Sequence, residues 1–110
     1  MLTFISSANA LVLDKNLVVR VAKIQIDSVQ LENYKAALKE EIETSVHVEP
    51  GVLSLYAVYD KENPTHVLIL EIYANTNAYK THLETPHFKK YKNTILMLPV
   101  VGTTQQGSVG

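Results

Sequence analysis

The chain has 110 residues, 46% of them hydrophobic and 19% charged, and its formal net charge is −1. This length and composition predict one globular domain, and the near-neutral charge gives no electrostatic basis for binding nucleic acid or an anionic membrane. The absence of cysteine excludes disulfides, thiolate metal sites and cysteine nucleophiles, and no apolar run approaches the ~20 residues that cross a bilayer.

Residues 1–16 precede the first clear secondary-structure pattern, and we expect them to form a leader or an extra edge strand. Residues 6–10 resemble the small-residue end of a signal peptide, but no basic residue precedes them and the apolar stretch before them is too short. We therefore expect a cytoplasmic protein, with export as the alternative if residues 1–10 are the remnant of a signal peptide. The folded domain is predicted to span residues 17–110.

The first strand and the first helix are predicted before residue 50. Residues 17–26 alternate between two faces, as a strand does, and Asp27 is expected to cap the helix that follows, with Gln30 placed as in a capping box. The Glu-Pro-Gly sequence at residues 49–51 then ends the helix. Along the helix, apolar side chains recur every three or four residues and predict a buried stripe of Leu31, Tyr34, Leu38, Ile42 and Val46.

The rest of the chain predicts two antiparallel strands joined by a polar turn, an interrupted helical region and a last strand. Thr85 and Pro86 interrupt the helical region, because Thr is a common N-cap and Pro fits the first turn of a helix. The boundaries of these elements are expected near residues 52–59, 66–73, 75–98 and 100–108. This order predicts a ferredoxin-like α+β fold, a βαββαβ sandwich with helices on one face of an antiparallel sheet.

The predicted third strand is apolar on both of its faces. The two sets are Leu68, Leu70 and Ile72 on one face and Val67, Ile69 and Tyr73 on the other. A half-covered antiparallel sheet normally alternates apolar and polar residues, and the two predicted helical regions can cover only one face. We therefore expect a homodimer, with the first set at or near the interface.

The stretch from residue 71 to residue 87 concentrates the side chains that could perform chemistry. Glu71 lies in the interior of a strand, where a carboxylate is costly unless it is paired or protonated. His82 falls on the inward face of the next helix, and an imidazole suits proton abstraction from a phenol or an activated C–H. Both residues also have a structural explanation, Glu71 through pairing with Arg20 and His82 through a hydrogen bond to a carbonyl. A proline separates His82 from His87, and their spacing is not that of a helical metal motif, so no metal site is predicted.

Three short segments stand out by their order and separation: Glu-Pro-Gly at residues 49–51, Glu-Ile-Tyr at residues 71–73, and His-Leu-x-Thr-Pro-His-Phe at residues 82–88. Together they resemble the antibiotic biosynthesis monooxygenase (ABM) family. The resemblance implies a dimeric α/β-barrel assembly, in which the sheets of two subunits pack face to face, and a cavity between helices and sheet. The cavity residues that it implies are Arg20, Ala22, Glu71 and Tyr73 on the strands and His82 on the helix.

The leading hypothesis is a cofactor-independent monooxygenase that acts on a quinol- or polyphenol-like small molecule. The expected catalytic residues are His82 and Glu71, and the expected substrate-binding residues are Tyr73, Arg20, Tyr56 and His87. No glycine-rich phosphate loop or dinucleotide fingerprint is present, so no cofactor is expected. Two alternatives stay open: a cofactor-free isomerase of a small hydroxy-carbonyl compound, and a non-catalytic dimeric ligand-binding protein. The expected partners are a small-molecule substrate and a second copy of the chain, with neither nucleic acid nor a membrane.

Overall fold

The computed structural model describes residues 16–97 and 100–105, so the expectations for residues 1–15, 98–99 and 106–110 lie outside it. The strands are β1 (Val18–Ile26), β2 (Val52–Tyr59), β3 (His66–Tyr73) and β4 (Val100–Gln105). The helices are α1 (Leu31–Val48), α2 (Thr76–Leu83) and α3 (Pro86–Met97), and a short 3₁₀ turn over Ser28–Gln30 leads into α1.

The strands form one sheet in the order β2-β3-β1-β4, and each neighbouring pair is antiparallel. This strand order, with a βαββαβ chain order in which the second helical segment is split, is that of a ferredoxin-like α+β fold. The fold class predicted from the sequence is confirmed. None of the helices in the described ranges combines the length and the apolar character that spanning a bilayer requires.

The start of α1 differs in detail from the predicted capping box. The Asp27 carboxylate accepts a hydrogen bond from the N–H of Val29 at 3.0 Å, so it caps the 3₁₀ turn and not the α-helix itself. Gln30 does not reach back to the cap, because its side-chain oxygen accepts from the Asn33 amide at 2.8 Å. The Asp signal therefore marks the end of β1 correctly, although the regular helix begins a turn later.

The break between α2 and α3 occurs where the sequence predicts it. The side-chain oxygen of Asn75 accepts from the N–H of Ala78 at 2.8 Å and so caps α2. The hydroxyl of Thr85 accepts from the N–H of Phe88 at 3.2 Å and donates to the carbonyl of His82 at 2.7 Å. Thr85 thus caps the C-terminal end of α2 and the N-terminal end of α3. Helix α3 begins with a proline, which suits the first turn because an N–H there would have no partner within the helix.

The buried face of α1 agrees only in part with the apolar stripe that the sequence predicts. Tyr34 and Leu38 are buried as expected, but the stripe continues through Glu41 and Ser45, whereas Val46 is 48% exposed. The buried positions follow the helical period of about 3.6 residues closely. Burial of the polar pair is tolerated because the Ser45 hydroxyl donates to Glu41 Oε1 at 3.1 Å.

The main core lies between the sheet and the helices. Its buried members are Ala22, Ile24 and Ile26 of β1, Tyr34 and Leu38 of α1, Val67 and Ile69 of β3, and Tyr91 of α3. The two tyrosine hydroxyls meet at 2.9 Å, so each buried phenol has a hydrogen-bond partner. No buried polar side-chain atom in the described part of the chain lacks a partner.

The opposite face of the sheet carries apolar side chains that α1, α2 and α3 do not cover. Tyr56 pairs with Leu70 and Val58 pairs with Leu68 across the β2–β3 ladder, and Val58 and Leu68 are 46% and 37% exposed. We call this surface the outer sheet face; its apolar members are Val19, Val21, Tyr56, Val58, Leu68, Leu70 and Ile72. The three β3 residues predicted to approach a second subunit all belong to it.

Gly51 lies where the chain leaves α1, and it contacts the first turn of α2. A Cβ atom added to Gly51 would lie 2.5 Å from the Cβ of Ala78, which is closer than real side-chain atoms approach. The carbonyl of Gly51 also accepts from the N–H of Ala74 at 2.8 Å. The close approach of these two segments therefore requires a residue without a side chain.

Candidate functional site

A cavity of about 380 Å³ lies between the sheet and the helices. Its apolar wall consists of Ala22, Ile24, Leu38, Ile42, Leu55, Ile69, Leu83, Phe88 and Ile95. Its polar side chains are Arg20, Glu41, Glu71, Tyr73, Tyr79, His82, Tyr91 and Lys92. Most of these polar side chains belong to two hydrogen-bonded clusters, one on the strands and one on the helices.

The strand cluster consists of Arg20, Glu71 and Tyr73. The antiparallel register places Arg20 of β1 directly opposite Glu71 of β3, and Tyr73 lies on the same face two residues further along. Glu71 Oε1 accepts from Arg20 Nη1 at 3.0 Å and from the Tyr73 hydroxyl at 2.9 Å. The guanidinium of Arg20 also lies over the ring of Tyr79, 4.8 Å from its centroid. On the sheet, the negative charge of Glu71 is thus stabilised by the guanidinium of Arg20 and by the hydroxyl of Tyr73.

Tyr73 connects the strand cluster with His82. Burial and the neighbouring charge of Glu71 raise the pKa of Tyr73, so its hydroxyl keeps its proton and acts as a donor. The centroids of the Tyr73 and His82 rings lie 5.3 Å apart. Within residues 16–95 no hydrogen bond joins Glu71 directly to His82, so the two predicted catalytic residues share a cavity without touching.

The helix cluster consists of Glu41, His82, Glu49 and His87. His82 Nε2 lies 3.2 Å from Glu41 Oε1, and His82 Nδ1 lies 2.9 Å from Glu49 Oε2. His87 Nε2 contacts the same Glu49 oxygen at 2.5 Å. Carboxylates and imidazoles therefore alternate along one continuous line of contacts.

Helix geometry explains how these side chains meet. Glu41 and Ser45 lie on α1, and Glu49 is the residue at which α1 ends, so a spacing of about one turn places all three on one side of the helix. His82 stands in the last turn of α2, and His87 stands in the first turn of α3. The break between α2 and α3 lets both imidazoles point toward the end of α1.

His82 is held between two carboxylates and is only 2% exposed. Burial alone lowers the pKa of His82, but the hydrogen bonds and charges of Glu41 and Glu49 outweigh burial, and the net pKa is raised. An imidazole that faces a carboxylate at both ring nitrogens is favoured in its protonated form. His82 therefore cannot be described as an isolated base; it works with its acidic neighbours.

The structure brings most of the predicted site residues together, but not all. Four line the cavity: Arg20, Glu71, Tyr73 and His82. His87 does not line it and reaches it only through Glu49 and His82. Tyr56 is 64% exposed on the outer sheet face, and this position argues against the predicted part in binding substrate within the cavity.

Glu41 and Glu49 complete the site, although neither is among the residues predicted for chemistry. Glu49 is predicted only as part of a turn, and the predicted buried stripe does not include Glu41. One signal was available: Glu41 falls on the same helical face as Tyr34 and Leu38. An acidic residue inside a buried helical stripe requires a partner, and a buried histidine elsewhere in the chain is a natural one.

Glu49, His82 and His87 present a carboxylate oxygen and two imidazole nitrogens within 4.8 Å of one another. Divalent transition metals are often bound by donor atoms of these kinds. The spacing of the two histidines in the sequence does not predict that they would meet in this way. In the structure the carboxylate oxygen is shared by both imidazoles through hydrogen bonds.

Comparison with solved structures gives proteins of similar structure. A Bacteroides thetaiotaomicron VPI-5482 protein, assigned by name to the antibiotic biosynthesis monooxygenases, is 52% identical with a TM-score of 0.84, over 88% of this chain and 91% of that chain. A Lactobacillus acidophilus NCFM protein, named as a monooxygenase, is 30% identical with a TM-score of 0.82, over 86% of this chain and 45% of that longer chain. A Nitrosomonas europaea protein at 20% identity and a TM-score of 0.79, over 87% and 91% of the two chains, shares the fold.

A comparison with curated proteins gives no significant match. The family model for antibiotic biosynthesis monooxygenases matches residues 17–94, which is most of the chain and includes both polar clusters of the cavity. On the strength of this match and of the 52% identical relative, the chain belongs to the antibiotic biosynthesis monooxygenase family.

Proposed function

We propose that the protein is a cofactor-independent monooxygenase that acts on a quinol- or polyphenol-like small molecule. The observation that carries the proposal is a cavity in which an apolar wall meets two hydrogen-bonded polar clusters. Its volume of about 380 Å³ falls in the range of pockets that bind small organic ligands. Membership of the family supports oxygenation, and the lining of the cavity supports an ionisable aromatic substrate.

The apolar wall suits a flat ring. Phe88 and Tyr91 of α3 face Ala22 and Ile69 of the sheet across the cavity. Aromatic and aliphatic side chains of this kind hold a ring mainly by removing its apolar surface from water. An apolar surround also limits the access of water to a reactive anion formed there.

The helix cluster is the proposed proton acceptor. His82 and Glu41 both line the cavity and contact each other at 3.2 Å, so a proton taken from a substrate hydroxyl can be shared within the pair. His82 is the first proposed catalytic residue, acting with Glu41 because both of its ring nitrogens are engaged. The carboxylate of Glu71 is the second proposed catalytic residue and the alternative proton acceptor.

The strand cluster is the proposed site of anion stabilisation. Arg20 and Tyr73 direct donors at a single oxygen of Glu71 beside the cavity. A substrate oxyanion that approaches this end of the cavity would meet the positive charge of the Arg20 guanidinium, which the bond to Glu71 holds in position. Donors held in place in this way stabilise a developing negative charge without reorganisation.

Once it is ionised, an electron-rich substrate can itself supply the electrons for the reaction. The anion gives one electron to O₂, the two radicals combine to form a C–O bond, and loss of water leaves the oxygenated product. The substrate loses two hydrogen atoms and gains one oxygen atom, and the second oxygen atom leaves as water. These steps require neither flavin nor haem nor metal.

We also propose that the protein is a homodimer that forms through the outer sheet face. Burying a large aliphatic side chain contributes roughly 1.5–3 kcal/mol, and this face offers several such side chains in adjacent strands. Leu70→Asp is expected to give a monomer, because it would leave an unpaired carboxylate in an apolar contact. Light scattering at micromolar concentration tests this, with Lys61→Asp in the exposed turn as the control that stays dimeric. A monomeric wild-type protein would contradict the proposal.

The function is tested by a turnover screen of quinols and hydroxy-carbonyl compounds in an oxygen electrode, with isotopically labelled O₂ and mass spectrometry of the products. We expect oxygen uptake, and one labelled oxygen atom in each product molecule. An isomerised product without oxygen uptake would instead identify the cofactor-free isomerase. Binding without turnover of any compound would favour the ligand-binding protein.

A further inference from the structure

We infer that the helix cluster is a proton relay that connects the cavity with the molecular surface, through Glu41, His82, Glu49 and His87 in that order. The inference rests on the proposed function, because ionisation of the substrate is the event that the relay serves. It extends that function to Glu49 and His87, which do not line the cavity and act through His82.

The contacts along the relay are continuous. Glu41 Oε1 and His82 Nε2 are 3.2 Å apart, and His82 Nδ1 and Glu49 Oε2 are 2.9 Å apart. The last step, from Glu49 Oε2 to His87 Nε2, measures 2.5 Å. Each step joins an imidazole nitrogen to a carboxylate oxygen. The two contacts of Glu49, with His82 and with His87, are hydrogen bonds, and the contact between Glu41 and His82 is an ion pair at 3.2 Å.

The two ends of the relay lie in different surroundings. Glu41 is 5% exposed and lines the cavity, whereas the side chain of His87 is 14% exposed. Glu41 and His87 both line a second groove, together with Glu40, Thr44 and Lys90, whereas Glu41 and His82 are the relay residues that line the cavity. The line of contacts therefore runs from the substrate cavity to the groove at His87.

The chemistry of the imidazole fits transfer in this direction. Before the substrate ionises, His82 is an imidazolium whose two ring N–H groups face Glu41 and Glu49. When Glu41 takes a proton from a substrate hydroxyl, it loses the negative charge that favours this imidazolium. The imidazolium is neutralised when Nδ1 gives its own proton to Glu49, which passes it to Nε2 of His87 and so to solvent. One proton enters and one leaves, and no electron moves. The reverse direction returns the proton that the reduced oxygen atom needs to leave as water.

The surroundings of His82 favour the imidazolium from which the relay starts. Glu41 faces it from α1, and Glu49 faces it from the end of that helix. Of the other groups packed around the ring, Tyr73 of β3 holds its proton because its pKa is raised, and Phe88 of α3 carries no charge. The His87 ring lies 6.2 Å from that of His82, on the far side of Glu49.

The test uses para-nitrophenol at a pH below its own pKa, because its anion is coloured and its neutral form is not. The probe is mixed with the full-length protein in a stopped-flow instrument, in weakly buffered solution that contains a pH indicator. Colour reports ionisation in the cavity, and the indicator reports arrival of the proton in solution. Oxygen uptake with a quinol is measured in parallel.

We expect the two signals to rise together in the wild-type protein. In His87→Gln, whose amide can still form a hydrogen bond with Glu49 but cannot carry a proton, the probe should ionise with wild-type affinity while proton release slows at least tenfold. Added imidazole should restore the release rate, which a purely structural defect would not allow. His47→Ala changes an exposed histidine at the end of α1 and should behave as wild type.

Release at the wild-type rate in His87→Gln, or slow release that imidazole does not restore, would overturn the relay while oxygen uptake by the wild type still supported the monooxygenase. Failure of the wild type to ionise the probe would also overturn the relay, because no proton would enter it. Ionisation and rescued release without any oxygen uptake would support the relay and overturn the proposed oxygenation.

Discussion

The strand cluster and the helix cluster face the same cavity but are built on different principles. The strand cluster takes its side chains from two adjacent strands and holds one carboxylate between an arginine and a tyrosine with a raised pKa. The helix cluster takes its side chains from three helical segments and alternates carboxylates with imidazoles. The strand cluster therefore supplies fixed charges at one end of the cavity, while the helix cluster supplies groups that can accept and release a proton at the other end.

The largest effect is expected from His82→Ala. Loss of a general acid–base group typically lowers the rate by about 10²–10⁴-fold, and we expect turnover to fall by that factor. Oxygen uptake measures it, and circular dichroism checks that the variant remains folded. A fully active His82→Ala beside an inactive Glu71→Gln would reverse the roles assigned to the two clusters.

Glu71→Gln tests whether the strand cluster also stabilises the fold. Removing the charge leaves the Arg20 guanidinium without its carboxylate, and a hydrogen bond to a charged group contributes about 1.5–3 kcal/mol. We expect the free energy of unfolding to fall by that amount in urea titrations at fixed protein concentration. Glu84→Gln removes an exposed pair with Lys89 and should cost at most about 1 kcal/mol. Equal losses in both variants would show that the strand cluster has no special structural role.

The two clusters should also differ in how stability depends on pH. Because the folded protein raises the pKa of His82, it binds that proton more tightly than the unfolded chain does. The stabilising contribution is fully present below the ordinary value of 6.5 and is lost as the pH rises through the folded pKa. Urea unfolding between about pH 6 and pH 9 should therefore give falling stability in the wild type and in Glu71→Gln, with a smaller fall in His82→Gln. The same slope in all three proteins would contradict the charge assigned to His82.

The smallest expected effect is that of Ser45→Ala. The Ser45 hydroxyl is fully buried and donates to Glu41, and an intramolecular hydrogen bond contributes about 1 kcal/mol to stability. We expect a loss of that size in thermal or urea unfolding. Thr44→Ala, one position away and half-buried, is the matched control and should change stability less. An unchanged Ser45→Ala would mean that Glu41 finds its hydrogen bonds elsewhere.

The sequence predicts the strand cluster better than the helix cluster, for a physical reason. Alternation along β3 places Glu71 and Tyr73 on one face, and antiparallel pairing then leaves Arg20 as a natural partner. Glu41, Glu49 and the two histidines meet only because α1 packs beside the α2–α3 break. That packing depends on side chains far apart in the chain, so no local sequence pattern predicts it. The buried stripe of α1 is misplaced for the same reason, since its polar members are stabilised by distant partners.

The contact between Gly51 and Ala78 influences the distance between Glu49 and His82, on which the proposed proton transfer depends. Gly51 follows Glu49 by two residues, and Ala78 precedes His82 by about one helical turn, so this contact lies beside the 2.9 Å bond between Glu49 and His82. A methyl group on residue 51 would push α2 outward, and an added stretch of roughly 1 Å would take that bond beyond the reach of a hydrogen bond. The glycine at residue 51 thereby helps to set the distance between Glu49 and His82. A larger residue at position 51 would require a smaller one at position 78.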